Sequence, residues 1–240
     1  MGSEKNIAAI SLFLAPILMF LTFLILISGV DGQQSDILAF TMVLGENSSN
    51  VGTAMVIVTI FMGIMFSGFG YVRSTMAGGS GAGLANMGFF LIIGLFVAFL
   101  VENSLWAAAA DSSSTGQAAG AAAAAAAVAA GDAANAEAIG AATASAAGVS
   151  IGATLFVASQ GIGTIGTITG FLGFILIGLS MIIQKNWNII VAILLIITGL
   201  CGTVGTPIIG YDSDTMFFLV WIPMMVTISV TGAFTYLREE

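Results

Sequence analysis

Long apolar runs separated by short polar stretches set the pattern of this chain. Six runs approach or exceed the roughly 20 residues needed to cross a hydrocarbon core of about 30 Å. They cover 7–28, 51–71, 84–101, 162–183, 187–204 and 215–236. The third and fifth are short, so the pattern leaves their ends loosely defined. The first run follows Lys5 but is longer than the apolar region of a signal peptide, and no Ala-x-Ala site follows it. It is read as a retained span. Met1-Gly2-Ser3 does not start a myristoylation signal, because position 6 is Asn6.

One region breaks the pattern. Residues 107–150 are rich in Ala and Gly and include an unbroken alanine run at 121–127. Alanine is the best helix former, yet its small side chain gains little by leaving water. A polyalanine helix is therefore a marginal span. The reading adopted for 107–150 is an external helical hairpin or arm with its turn near 131–135. A two-span hairpin is the second choice and disorder the third.

Charge decides the sidedness. The chain has only four basic residues against twelve acidic ones, a formal net charge of −8. Lys5 precedes span one, Arg73 lies between spans two and three, Lys185 between four and five, and Arg238 after six. Six spans put all four on one side, and basic residues stay cytoplasmic. Both termini are expected inside. Asp31, Asp36, Glu46, Glu102, Asp111, Asp132, Glu137, Asp212 and Asp214 then fall outside. An odd number of extra spans within 107–150 would break this agreement. Tyr71, Trp187 and Tyr236 fit the inner interface, and Trp106 and Tyr211 the outer one. The sequon Asn47-Ser48-Ser49 also falls outside. The outer acid excess is compatible with a high-salt habitat, where screening removes the repulsion among the acids.

Composition closes off several functions. Hydrophobic residues make up 58% of the 240, charged residues only 7%, and mean hydropathy is +1.10. Too little polar surface exists to cover a soluble globule. There is no histidine and one cysteine, Cys201. Histidine-ligated metal sites, histidine acid–base catalysis and an internal disulfide are excluded. The acidic balance disfavours nucleic acid. The sequence predicts no cofactor, no metal site and no catalytic residue.

The remaining candidates are structural. Gly166, Gly170, Gly173 and Gly178 mark span four as a tight helix–helix seam, within the chain or with another subunit. Pro16 and Pro223 are expected to kink spans one and six. Glu102 and Gln160 sit at outer span edges, where they are read as interfacial residues in contact with water and, alternatively, as an entry site for a cation or proton. The polar residues within spans are mainly hydroxyls, Thr22, Thr59, Ser67, Ser180, Thr198, Thr227 and Ser229, plus Asn188. They suit inter-helix hydrogen bonds. The stretch 78–83, Gly-Gly-Ser-Gly-Ala-Gly, lacks the lysine of a phosphate loop and is read as a flexible turn. Met181, Met224 and Met225 are read as packing rather than copper ligands. Asp212-Ser213-Asp214 lacks the rest of a calcium loop. Three spans on each side of the arm permit an inverted repeat, but no residue-level match joins the halves.

The expectation is an all-α, multi-pass transmembrane helical bundle of about six spans with an Ala-rich helical arm or hairpin on the outer face. Residues 1–106 would form the first three spans, 107–150 the arm, and 151–240 the last three. The function class that fits is a non-enzymatic membrane subunit of a larger assembly, placed in a cell membrane or viral envelope. Its partners would be the lipid bilayer and other membrane subunits or copies of itself. The alternative is a channel or facilitator for a small neutral solute, which needs hydroxyl-lined helices but no buried charge. An enzyme would have only Glu102, Asp212 and Asp214 to work with.

Overall fold

Apolar side chains on every side of a helix suit a lipid surround, where only internally hydrogen-bonded backbone is tolerated. The computed structural model describes residues 2–28, 30, 36–211 and 213–238. Among these, regular structure is entirely helical. The order is α1 (Gly2–Leu26), α2 (Ile37–Glu46), α3 (Ser48–Ser74), α4 (Ala82–Ala129), α5 (Ala136–Ala144), a π-helical turn (Ser145–Val149), α6 (Ser150–Gln184), α7 (Ile189–Ile209), α8 (Asp214–Met216), a second π-helical turn (Phe217–Trp221) and α9 (Ile222–Leu237). Six helices are long and apolar enough to cross a membrane. The protein is thus a multi-pass membrane protein by the length and composition of its helices. Large apolar side chains lie outermost, with Ile208 75% exposed. Lipid is the solvent that accepts such a surface.

The helices differ in extent from the predicted runs. The run at 84–101 is only the first part of α4, which continues without a break for 48 residues. The chain reverses over 130–135, where Gly131 takes a φ of 86° and Asp132 accepts from Asn135 Nδ2 at 2.8 Å. Positive φ costs glycine nothing, which is why the turn falls there. The short helix α2 was not anticipated. Asp36 caps it by accepting from the Ala39 N–H at 3.2 Å.

Two compact units are distinguished by their internal contacts. Unit 1 comprises 1–21, 58–100 and 162–240, and unit 2 comprises 22–57 and 101–161. Helices α1, α3, α4 and α6 therefore contribute to both.

Unit 1 is built around phenylalanines. Phe69 and Phe174 are fully buried with ring centres 5.4 Å apart, and Phe171 meets Phe174 at 5.5 Å and Trp221 at 6.1 Å. These tilted and edge-on arrangements are the ones aromatic quadrupoles favour. Unit 2 has a smaller core of Phe40, Leu44, Val51, Met55, Ala109, Ala110 and Phe156. Phe40, Phe156 and Trp106 form a triangle of rings with centres 5.0 to 5.9 Å apart.

The glycine-rich stretch at 78–83 is a turn, but it is not left loose. Ser180 Oγ donates to the Gly81 carbonyl at 2.7 Å, and Gln184 Oε1 accepts from the Gly81 N–H at 3.1 Å. Just before it, the Thr75 carbonyl accepts from Asn186 Nδ2 at 2.7 Å and Thr75 Oγ1 from Trp187 Nε1 at 2.9 Å. These polar groups come from a segment a hundred residues away in sequence, which the composition of the turn does not disclose.

Candidate functional site

With no cluster of three or more metal-ligating side chains among the described residues, the candidate features are the places where backbones touch. In unit 1, three of the four glycines predicted from span four face α4. A methyl group on Gly173 would lie 2.6 Å from the Gly88 carbonyl oxygen, and one on Gly88 would lie 2.7 Å from that of Gly173. Gly170 is covered by Leu95 and Gly166 by Ala98. The fourth, Gly178, turns to α7, where a methyl group would lie 2.7 Å from the Ala192 carbonyl oxygen. Helix α7 reciprocates: Gly199 lies against the Phe171 carbonyl and Gly202 against the Phe171 ring. Helix α6 therefore carries two glycine seams, and both are occupied within the chain.

Unit 2 repeats the device with even smaller residues. A methyl group on Gly120 would lie 2.5 Å from the Gly140 carbonyl oxygen, one on Gly116 2.6 Å from that of Ala144, and one on Gly152 2.7 Å from that of Ala109. Gly148 lies against the Ser112 carbonyl. Contacts advance along α4 as they retreat along the returning helical segment, so the two run antiparallel. Small residues spaced three or four apart on both helices allow this approach. The π-helical turn at Ser145–Val149 lies within the returning segment. Helix α2 joins through Gln117 Nε2, which donates to the Met42 carbonyl at 2.7 Å.

The hairpin's other faces remain open. Ala121, Ala122, Ala125 and Ala126 on α4 and Ala138, Ala141 and Ala142 on the return are exposed. The only charged residues of 107–150 are Asp111, Asp132 and Glu137.

The polar candidates are placed as follows. Glu102 on α4 is only 6% exposed, and its neighbour Asn103 is 8% exposed. This corrects the expectation of a residue in contact with water: Glu102 is buried. Gln160 on α6 belongs to the same unit and is half-buried. Pro16 lies inside α1. Pro223 stands in the first turn of α9, immediately after the second π-helical turn. Helix α7 contains a further proline, Pro207. Asp31 and Asp212 lie outside the described residues. Hydroxyls are used mainly for packing: Thr198 and Thr227 bond to each other at 2.7 Å, and Thr231 and Thr235 donate to carbonyls one turn back on α9.

No known protein family, curated protein or solved structure matches this chain.

Proposed function

We propose that this chain is a non-enzymatic integral membrane subunit of a larger membrane assembly, joined to its partner or to further copies through the Ala-rich hairpin. The observation that carries the reading is the hairpin's uncommitted alanine surface. Its glycine seam is spent on holding α4 to the returning helix. What remains outward is small, smooth and nearly uncharged. Small side chains suit close contact with another helix, as they do inside the chain.

Length supports an external position. At 1.5 Å per residue, the 48 residues of α4 extend about 72 Å, more than twice a hydrocarbon core of about 30 Å. With 84–101 in the lipid, most of 107–129 stands beyond it. The four basic residues favour cytoplasmic termini and an outer hairpin. The seam of span four, expected to serve either the chain or a partner, is engaged within the chain. The proposed partner surface is accordingly the hairpin alone.

The test is purification of the native protein in mild detergent, with mass analysis of what travels with it. Stoichiometric foreign subunits or a defined homo-oligomer support the proposal. A monomer without partners overturns it, and transport of a small neutral solute into liposomes then becomes the reading to assay. Cross-linking locates the contact. In a Cys201→Ser background, Ala122→Cys or Ala125→Cys should form a disulfide or a bismaleimide adduct with the partner, and Ile208→Cys should not.

A further inference from the structure

Helices α1 and α9 meet along one flank of unit 1, and their contact is incomplete. They touch where Gly232 admits α1: a methyl group there would lie 2.6 Å from the Phe13 backbone nitrogen. Ser229 Oγ donates to the Phe13 carbonyl at 3.2 Å. On either side of this contact the helices leave an apolar furrow. One stretch, about 440 Å³, is lined by Pro16, Ile17 and Phe20 of α1 and by Met225 and Val226 of α9. The next, about 410 Å³, is lined by Ile10 and Leu14 with Tyr236 and Leu237. Phe13 and Ala233 line both, so the two stretches are neighbours along the same pair of helices.

Its end is chemically different. At Leu237 it adjoins a third cavity of about 270 Å³, bounded by Asn186, Trp187, Asn188 and Arg238. The Arg238 guanidinium stands 5.1 Å from the centre of the Trp187 ring. Lys5 Nζ donates to the Arg238 carbonyl at 2.8 Å, which brings a second cation to the Arg238 backbone. Two of the chain's four basic residues thus lie near Leu237, which lines both the furrow and this cavity, while Glu239 and Glu240 follow Arg238 in sequence. Glu4, next to Lys5 in sequence, is exposed.

We infer that this groove holds an anionic phospholipid, with its phosphate against Lys5 and Arg238 and one hydrocarbon chain along the α1–α9 furrow. Charge selects this occupant over a neighbouring apolar helix, which would bring no anion to the two cations. The side-chain amides of Asn186 and Asn188 add donors of the kind a phosphate or glycerol oxygen accepts. Trp187 and Tyr236 are the residues that settle at the headgroup level. From Leu237 to Ile222 the furrow extends about 22 Å, enough for the roughly 15 Å depth of one leaflet. Each stretch falls within the 300–1,000 Å³ range usual for small-molecule sites. Basic pockets between membrane helices bind anionic headgroups on these terms.

The experiment offers the full-length protein in mild detergent an equimolar mixture of phosphatidylglycerol and phosphatidylcholine with identical chains. Native mass spectrometry counts each lipid bound. The wild type should retain one phosphatidylglycerol in clear preference. Lys5→Gln and Arg238→Gln should each reduce that preference about fivefold, while Arg73→Gln leaves it unchanged. Ala233→Phe, which fills the furrow, should remove both lipids. Equal retention of the two lipids by the wild type overturns the proposal, as does a preference insensitive to Lys5→Gln and Arg238→Gln. A dimer that the Ala233→Phe variant abolishes also overturns it, because a second copy is then the occupant. The charge variants lie at helix ends and leave the furrow intact, so they decide the matter even if Ala233→Phe does not fold.

Discussion

Gly88 and Gly173 meet backbone to backbone, each so placed that a methyl group on one would lie within 2.7 Å of the carbonyl oxygen of the other. Neither neighbouring atom is the movable end of a side chain, so the clash cannot be relieved cheaply. Gly88→Ala and Gly173→Ala should each destabilise the protein by about 1–3 kcal/mol, the usual cost of overpacking. Gly161→Ala, whose added methyl meets nothing within 4 Å, should match or slightly exceed the wild type because alanine favours helix. Thermal unfolding in detergent, followed by circular dichroism, checks the contrast. Equal melting points for the three variants would remove the seam from the account of this fold.

The Thr198–Thr227 hydroxyl pair links α7 to α9 at 2.7 Å in a buried setting. Such bonds between membrane helices average about 0.6 kcal/mol and reach about 1.7 kcal/mol. Thr198→Val and Thr227→Val should therefore show a coupling energy in that range in a double-mutant cycle. Strict additivity would mean that packing alone joins the two helices at this level.

Anchoring of the glycine turn rests on Ser180 and Gln184. Removing either leaves a polar group of Gly81 without its partner, at a net cost of about 1 kcal/mol. Amide hydrogen exchange is the direct readout. Gln184→Ala should speed exchange at Gly81 about fivefold with global unfolding little changed, since a local opening samples only the turn. Exchange that is fast in the wild type and unaffected by Gln184→Ala would restore the flexible reading.

Lys185 follows α6 with a φ of 55°, the single positive value outside glycine among the described residues. Its N–H closes the helix on the Met181 carbonyl at 3.0 Å. Left-handed backbone strains any residue with a Cβ, and glycine relieves that strain. Lys185→Gly should raise the unfolding free energy by about 0.5–1 kcal/mol. Lys185→Gln, which also removes the charge but keeps the Cβ, should not. A gain in both variants would trace the effect to the charge.

The long helices were legible because hydropathy is a property of single residues summed along the chain. Their register and partners are properties of pairs, which no window over one segment contains. The glycines at 166, 170, 173 and 178 announced close packing, yet nothing in their spacing assigned three of them to α4 and the fourth to α7. The turn after the alanine run was signalled by Gly131, Asp132 and Asn135, whose local chemistry suffices to reverse a chain. Helix α2 was passed over because its apolar run is too short to span, although Asp36 ahead of it is a normal capping signal. Glu102 ends an apolar run, a position that by itself predicts exposure. Its burial depends on tertiary packing, which a reading of one run does not capture. The two π-helical turns have no sequence signature at all.

The contact between α1 and α9 has a consequence for how the protein is made. Helix α1 precedes α3 in the chain and meets it where Gly68 receives the Leu12 side chain. It also meets α9, where Gly232 lies against Phe13, more than two hundred residues later in the chain. Through all of that interval one flank of α1 faces bilayer rather than protein. Insertion can proceed helix by helix, but the contact between α1 and α9 waits until α9 has emerged. A ribosome stalled before residue 222 should leave a membrane-inserted intermediate whose first helix is reachable by lipid-soluble probes along Phe13 and Ala9.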